Sequence, residues 1–229
     1  MSSTIFDFIR FMLSAGALKF GDFTTKSGRK TPYFINTGAY QTGSQMEKLG
    51  EFYARAIHEA HGSDVDNLFG PAYKGIPLAV SAVMSLNRLF RLDISYTFNR
   101  KEAKDHGEGG SLVGFDYAKW NGHAPCRVVL IEDVTTAGTS VRESLPLIQA
   151  GGKAKAIGLV VSVDRMEKGS GERSALAEIR EEFGLKTTAI ASFADLIGFL
   201  QTAEGSEYLQ RDATLLSRMK EYREKYGAV

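Results

Sequence analysis

The stretch Val128-Val129-Leu130-Ile131-Glu132-Asp133-Val134-Thr135-Thr136-Ala137-Gly138-Thr139-Ser140 combines three kinds of local chemistry without a spacer. Its first four residues are apolar and rich in β-branched side chains, which predicts a strand buried on both faces of a parallel sheet. Two carboxylates, Glu132 and Asp133, follow where this strand would reach the surface. The small and hydroxyl-bearing residues after them predict a turn that can surround a phosphate at the start of a helix beginning near Thr139.

The acidic pair beside this anion site limits the kind of ligand. Carboxylates repel phosphate unless the ligand also carries hydroxyl groups or a metal for them to bind. A phosphorylated sugar satisfies this condition. The alternative interpretation is a solvated strand-to-helix turn with ordinary helix caps, in which Glu132 and Asp133 contact no ligand.

Size and composition exclude several classes of protein. A chain of 229 residues is long enough for one domain with an appendage. The formal net charge of +1 does not indicate binding to nucleic acid. No apolar run approaches the roughly 20 residues of a membrane span, and the N-terminus lacks the pattern of a secretory signal. The single cysteine, Cys126, is compatible with a reducing compartment, so we expect a cytoplasmic protein.

Helix and strand patterns alternate along the chain. Helices are predicted at 4–14, 44–62, 76–89, 139–151, 172–183 and 206–226, and the second of them begins with a capping-box pattern at 44–47. A hairpin is predicted at 18–36. Strands are predicted at 65–70, 94–98, 127–134, 156–163 and 187–193. This alternation predicts an α/β fold with a parallel central sheet flanked by helices. Residues 1–40 are expected to form most of a small hood, and residues 41–229 the α/β core with a C-terminal helix, in one functional domain.

Polar and charged side chains follow several of the predicted strands. They are Tyr73-Lys74, Arg100-Lys101, Glu132-Asp133 and Asp164-Arg165. Because ligands of open parallel sheets bind beyond the carboxyl ends of the strands, we expect these side chains to meet at one edge. Each cation alone would more often be solvated, but together they indicate a pocket for a polyol with several phosphates. The charged, glycine-rich segment 99–110 predicts a loop that can close over this pocket.

The organising stretch resembles the signature of the type I phosphoribosyltransferases, which bind 5-phosphoribosyl 1-diphosphate (PRPP) through an apolar strand, an acidic pair and a Thr-x-x-Gly-Thr-type loop. Residues 26–34, 70–77, 99–110 and 164–165 resemble motifs of the orotate-specific members. The resemblance extends over residues 18 to about 165. It implies the type I phosphoribosyltransferase fold and transfer of the phosphoribosyl group of PRPP to orotate, giving orotidine 5'-monophosphate and diphosphate in pyrimidine (UMP) biosynthesis.

The resemblance also implies roles for individual residues. The phosphate groups of PRPP are assigned to Lys26, Tyr73, Lys74, Arg100, Lys101, Lys104 and His106. The rest of the PRPP site is assigned to Glu132, Asp133, Val134, Thr135, Thr136, Ala137, Gly138, Thr139 and Ser140. Orotate is assigned to Phe34, Ile35, Thr136 and Arg165, and the catalytic groups to Lys74, Lys104, His106 and Asp133. Two positions depart from the family pattern, since Ile35 often corresponds to a second aromatic residue and Glu132 to Asp.

The implied reaction needs no protein nucleophile, because a ring nitrogen of orotate attacks the anomeric carbon. Mg²⁺ is expected as cofactor, held mainly through PRPP rather than by protein ligands. In the family the loop at 99–110 reaches a neighbouring subunit, so a homodimer with a shared active site is expected. Two alternatives stay open: a phosphoribosyltransferase for another nucleobase, and a non-catalytic regulator that senses PRPP.

Overall fold

The computed structural model describes residues 2–25, 28–101, 111–135, 138–169 and 171–228, without the side chains of Ser2 and Ser3. Its helices are α1 (Ser2–Ser14), α2 (Gly43–His61), α3 (Gly75–Phe90), α4 (Thr139–Gln149), α5 (Ala175–Phe183), α6 (Phe193–Leu200), α7 (Ser206–Arg211) and α8 (Leu215–Tyr226). Its strands are β1 (Leu18–Thr24), β2 (Lys30–Ile35), β3 (Asn67–Phe69), β4 (Ser95–Asn99), β5 (Leu112–Gly114), β6 (Cys126–Glu132), β7 (Ala154–Asp164) and β8 (Lys186–Ser192). No helix in these ranges is long and apolar enough to cross a membrane.

The larger sheet has the strand order β5-β4-β3-β6-β7-β8. All neighbours in it pair in parallel except β4 and β5, which are antiparallel. The predicted α/β fold with a central parallel sheet is therefore confirmed. The antiparallel edge strand β5 was not predicted, because it is three residues long and follows a polar, glycine-rich segment.

Strand β6 lies between β3 and β7 and is covered on both faces. Val129 and Ile131 pack into the core that includes α2 and α3, whereas Val128 and Leu130 pack into the core that includes α4 and α5. This division follows from the two-residue period of a strand. Burial of each such side chain stabilises the fold by about 1.5–3 kcal/mol. The central strand is thereby held rigidly, and its carboxyl end carries Glu132 and Asp133.

Helix α2 begins earlier than its sequence pattern predicted. The capping box predicted at Ser44–Glu47 is wrong, because Thr42 is the N-cap and Gln45 completes the box. The backbone of Thr42 is extended (φ −115°, ψ 157°), so its hydroxyl accepts a hydrogen bond from the Gln45 N–H at 3.3 Å. Both positions satisfy the same local pattern, and only backbone conformation distinguishes them. The helix ends at His61 with Gly62 as its C-cap, which agrees with the predicted end at Gly62.

The N-terminal hairpin and the C-terminal helices pack together. Strands β1 and β2 form a separate antiparallel sheet, and α8 contacts β2. The single helix predicted at 206–226 is wrong: the chain is extended at Asp212, whose carboxylate accepts a hydrogen bond from the Thr214 N–H at 3.0 Å. Helix α6 was not predicted; it begins after Ser192, which forms a capping box with Asp195. The division into a hood at 1–40 and a core stays a prediction.

Candidate active site

Lys74 and Asp133 meet at the carboxyl edge of the sheet. Lys74 lies in the turn after β3 and Asp133 directly follows β6. The Lys74 Nζ is 2.9 Å from the Asp133 Oδ2. The Thr37 hydroxyl donates a hydrogen bond to the same Oδ2 at 2.6 Å and accepts one from Lys74 at 3.3 Å. Three segments that are far apart in sequence therefore converge on one carboxylate oxygen.

The backbone around Asp133 is also fixed. Its Oδ1 accepts a hydrogen bond from the Val134 N–H at 2.7 Å. Its carbonyl oxygen accepts bonds from the Ser162 N–H at 2.9 Å and the Ser162 hydroxyl at 2.5 Å. The Asp133 side chain is 13% exposed, whereas Lys74 is 66% exposed. Asp133 is thus a fixed acceptor, and the lysine can move away from it to contact a ligand.

Glu132 has a different environment from its neighbour. Its side chain is buried, and burial raises the pKa of its carboxyl above the ordinary value. A hydrogen bond with Ser140 and the charge of Lys74 partly oppose this increase in pKa. The Tyr53 hydroxyl donates a hydrogen bond to the Glu132 carbonyl oxygen at 2.7 Å. Glu132 therefore connects the strand end to the start of α4, while Asp133 faces the Lys74 side.

A cavity of about 670 Å³ lies at this edge of the sheet. It is lined by Pro71, Ala72, Asn99, Arg100, Lys101, Val134, Thr135, Gly138, Thr139, Ser140, Glu143, Ser144 and Leu147. The predicted phosphate-binding residues at the ends of β4 and β6 thus share one cavity with the N-terminus of α4, where free N–H groups favour an anion. Tyr73 is 65% exposed beside it, and the Lys101 Nζ lies 5.4 Å from the centroid of its ring.

The turn before α4 requires glycine at position 138. Gly138 has φ 68°, a conformation that is unfavourable for residues with a Cβ. A Cβ there would also lie 2.8 Å from the Cδ1 of Ile179. The Gly138 N–H donates a hydrogen bond to the Thr135 hydroxyl at 3.1 Å, which closes the turn. Helix α4 then begins with the bond from the Arg142 N–H to the Gly138 carbonyl at 3.0 Å.

Arg165 follows β7 and belongs to a half-buried polar cluster. Its Nη2 is 2.7 Å from the Oε1 of Glu167, and its Nε is 3.2 Å from the Tyr33 hydroxyl. The same Glu167 pairs with Arg29 and accepts a bond from Tyr222. Burial raises the pKa of the Glu167 carboxyl, but Arg165 and the other donors lower it more, so it stays ionised.

The two apolar residues assigned to the nucleobase lie at the end of β2. Phe34 is 43% exposed and stacks on Phe23 at 5.5 Å between ring centroids. Ile35 is half-buried and packs against the core. The exposed aromatic face is therefore provided by Phe34.

Known proteins resemble this chain in sequence and in structure. Residues 36–187 match the family model described as the phosphoribosyl transferase domain. The chain is 52% identical over 221 residues to the orotate phosphoribosyltransferase of Lachnoclostridium phytofermentans, with 96% of each chain covered. The chain belongs to the orotate phosphoribosyltransferase family. The Clostridium beijerinckii member is 51% identical, with 97% of each chain covered. The crystal structure of the Francisella tularensis orotate phosphoribosyltransferase matches with a TM-score of 0.79 and 39% identity, over 97% of this chain and 100% of that one.

Two residues that shape the candidate site of this member of the orotate phosphoribosyltransferase family were not predicted from the sequence. Thr37 holds Asp133, and Asn99 accepts a hydrogen bond from the Ala72 N–H at 2.9 Å through its side-chain oxygen. Asn99 directly follows the strand predicted at 94–98 and could have been found by the strand-end rule. Thr37 had no such signal, because it lies in a short 3₁₀ turn (Thr37–Ala39) after the hairpin.

Some of the predicted site residues lie outside the described part of the chain. They are Lys26, Lys104, His106, Thr136 and Ala137. The roles predicted for them, and for the loop at 99–110 beyond Lys101, stay predictions.

Proposed function

We propose that this chain transfers the phosphoribosyl group of PRPP to orotate, giving orotidine 5'-monophosphate and diphosphate. The observation that carries the proposal is the Asp133 carboxylate, held 2.9 Å from Lys74 next to the turn at the start of α4. This arrangement supplies a hydrogen-bond acceptor for sugar hydroxyls and a cation for phosphate within one site. The family relationship supports orotate as the acceptor base.

The donor would bind with its two ends in different parts of the site. The N–H groups and hydroxyls of residues 138–140 suit the 5-phosphate, because Gly138 is the N-cap of α4 and Thr139 and Ser140 begin this helix. Asp133, next to them, suits the ribose hydroxyls. Lys74, which follows β3, and Arg100 and Lys101, which follow β4, suit the diphosphate. Tyr73, Lys26, Lys104 and His106 would complete that set.

The reaction is a displacement at the anomeric carbon. The ring nitrogen of orotate forms the new bond to this carbon, and the bond to diphosphate breaks with its electron pair on the departing oxygen. Charge therefore grows on the leaving group while the sugar becomes cationic. Fixed cations around the diphosphate stabilise this charge distribution, and fixed acceptors hold the ribose in place. Lys74 contributes most when a ligand draws it from Asp133 to the diphosphate.

Magnesium is proposed as the cofactor. Mg²⁺ prefers oxygen ligands in octahedral geometry and keeps several waters. Asp133 offers such oxygens, but its Oδ2 already contacts Lys74 and Thr37. Within the described ranges, no group of three or more His, Cys, Asp or Glu side chains could hold a metal ion. The residues present therefore fit a Mg²⁺ bound mainly through PRPP, where it would neutralise charge on the diphosphate.

We also propose a cytoplasmic homodimer in which the loop at 99–110 contributes Lys104 and His106 to the partner's site. The proposal can be tested by mixing subunits that carry Lys104→Ala with subunits that carry Asp133→Asn. Because each mixed dimer would contain one intact site, we expect about a quarter of the wild-type activity from two inactive parents. Activity no higher than that of the parents would place the loop in its own subunit's site.

The activity itself is tested by the change in ultraviolet absorbance of orotate on mixing with PRPP, Mg²⁺ and protein. Uracil, adenine and hypoxanthine should be offered in parallel. We expect turnover of orotate alone, and loss of most of it in Asp133→Asn. Turnover of another base would indicate a different acceptor. Binding of PRPP without turnover of any base would indicate a regulator and would overturn the proposal.

A further inference from the structure

Glu167 connects three segments of the chain next to the predicted nucleobase site. Its side chain is 11% exposed. The Oε1 accepts hydrogen bonds from Tyr33 of β2 at 3.1 Å and Tyr222 of α8 at 2.8 Å. The Oε2 contacts the Nη2 of Arg29 at 2.6 Å. A carboxylate with this many fixed donors has one orientation available to it.

The charges in this cluster do not balance. The guanidinium groups of Arg29 and Arg165 share the single carboxylate of Glu167. Both arginines are also mostly covered, with exposed side-chain fractions of 28% and 19%. Among the residues that the structure describes, one positive charge of this trio is therefore left without a counter-ion inside a half-buried site. Such a site favours an additional anion, since charges in a low-dielectric environment are stabilised by pairing.

The two edges of the Arg165 guanidinium are used differently. Its Nε donates a hydrogen bond to the Oε1 of Glu167 at 2.9 Å, and its Nη2 lies 2.7 Å from the same oxygen and donates to the Tyr222 hydroxyl at 3.5 Å. Its Nε also lies 3.2 Å from the Tyr33 hydroxyl. The Nη1 donates to no group among the residues that the structure describes. The side that carries Nε and Nη2 is thus fixed by the protein, and the edge that carries Nη1 stays free to donate to a carboxylate.

The position of Arg165 relates it to the reaction site. It follows β7 directly, and Ser162, three residues earlier, holds the backbone of Asp133. Its guanidinium also lies over the ring of Tyr33, 5.3 Å from the centroid, and Tyr33 immediately precedes Phe34. Arg165 therefore follows the strand that pairs with β6, and it contacts the residue that precedes Phe34 in the hairpin.

We propose that Glu167 is a positioning residue, which holds the Nε and Nη2 edge of Arg165 so that the free edge receives the carboxylate of the nucleobase. This inference rests on the proposed function, because orotate differs from other pyrimidine bases in carrying that carboxylate. Glu167 itself need not contact the substrate. The competing role for Glu167 is a structural tether that only attaches α8 to the hairpin.

The test is Glu167→Gln, which keeps the shape of the side chain but removes its charge. We expect the KM for orotate to rise about tenfold or more, because hydrogen bonds to charged groups are among the strongest in proteins. The KM for PRPP should change less than about twofold, since the diphosphate and ribose contacts are elsewhere. The matched control is Glu172→Gln, an exposed glutamate that pairs with Lys168 on the same segment; it should leave both KM values unchanged.

A double-mutant cycle separates positioning from tethering. In an Arg165→Met background, Glu167→Gln should not lower kcat/KM for orotate further, because its effect passes through the arginine. Tyr222→Phe, which removes the 2.8 Å bond to Glu167 and keeps the ring, should raise the KM for orotate selectively by a smaller factor even if Glu167→Gln fails to fold. Additive losses in the cycle, or equal changes for orotate and PRPP, would overturn the positioning role. Absence of orotate turnover in the wild-type protein would instead refute the proposed function.

Discussion

Glu132 and Asp133 are adjacent residues with different tasks at this strand end. Asp133 is held by Thr37, Val134 and Lys74, so its carboxylate is a fixed hydrogen-bond acceptor. Glu132 is buried against Ser140 and supports the start of α4. The difference arises because successive side chains of a strand point to opposite faces. Asp133 therefore contacts Lys74 and Thr37, whereas Glu132 makes a structural contact with the start of α4.

Thr37 provides a direct test of this interpretation at the residue scale. Thr37→Val is nearly isosteric but removes the hydroxyl that donates to Asp133 at 2.6 Å. We predict that the KM for PRPP rises by about tenfold, because the loss of a hydrogen bond to a charged group costs about 1.5–3 kcal/mol. Steady-state kinetics with varied PRPP measures this change. Thr37→Ser, which keeps the hydroxyl, should behave nearly as wild type; equal effects of the two substitutions would contradict the role.

The raised pKa of Glu132 predicts a pH-dependent stability difference. Its folded pKa lies above the ordinary value of 4.5, so the folded state binds more protons than the unfolded state in the range just above that value. The charged group therefore lowers stability at neutral pH, and this cost disappears as the pH falls through the folded pKa. Glu132→Gln should be more stable than wild type at neutral pH, with a gap that narrows on acidification. Urea unfolding at a series of pH values measures the gap; a constant gap would contradict the prediction.

At the element scale, the turn between β6 and α4 depends on glycine. Gly138→Ala is expected to lower the unfolding free energy by more than about 1–2 kcal/mol, because a left-handed backbone is strained and its Cβ meets Ile179. The KM for PRPP should rise as well. Gly184→Ala is a matched control, since Gly184 has φ 66° with no atom within 4 Å of the added Cβ. Gly184→Ala should lower the unfolding free energy only by the cost of placing alanine in a left-handed backbone conformation, and it should leave the KM for PRPP unchanged. Urea unfolding measures the first quantity and steady-state kinetics the second.

At the scale of the whole molecule, the site exists only in the folded chain. Residues from the 3₁₀ turn, the loop after β3 and the end of β6 must be assembled before PRPP can bind. Ligands that bind only the folded state stabilise it, and a concentration about 100 times the Kd adds about 2.7 kcal/mol to the unfolding free energy. We predict an increase in Tm with PRPP and Mg²⁺ that is much smaller in Asp133→Asn. An equal increase in both proteins would show that PRPP does not use Asp133.

Local patterns determined a large part of this fold. The apolar run of β6, the period of α2 and the alternation of strands with helices depend on neighbouring residues, so they could be predicted from the sequence. Boundaries were less accurate: the cap of α2 is Thr42 instead of Ser44, and the C-terminal helix is interrupted at Asp212. In both cases several local conformations satisfy the same residues, and packing selects one.

The sequence by itself determined the family, the central strand and the chemistry available at its end, because these are carried by contiguous residues. Only the tertiary structure decided which side chains hold one another. The contact between Thr37 and Asp133 joins residues 96 positions apart, and the sharing of Glu167 by Arg29 and Arg165 joins two distant segments. Such partners have no local signal, since they are brought together by sheet order and by the packing of α8 on the hairpin. The orientation of Arg165 is therefore a property of the folded molecule.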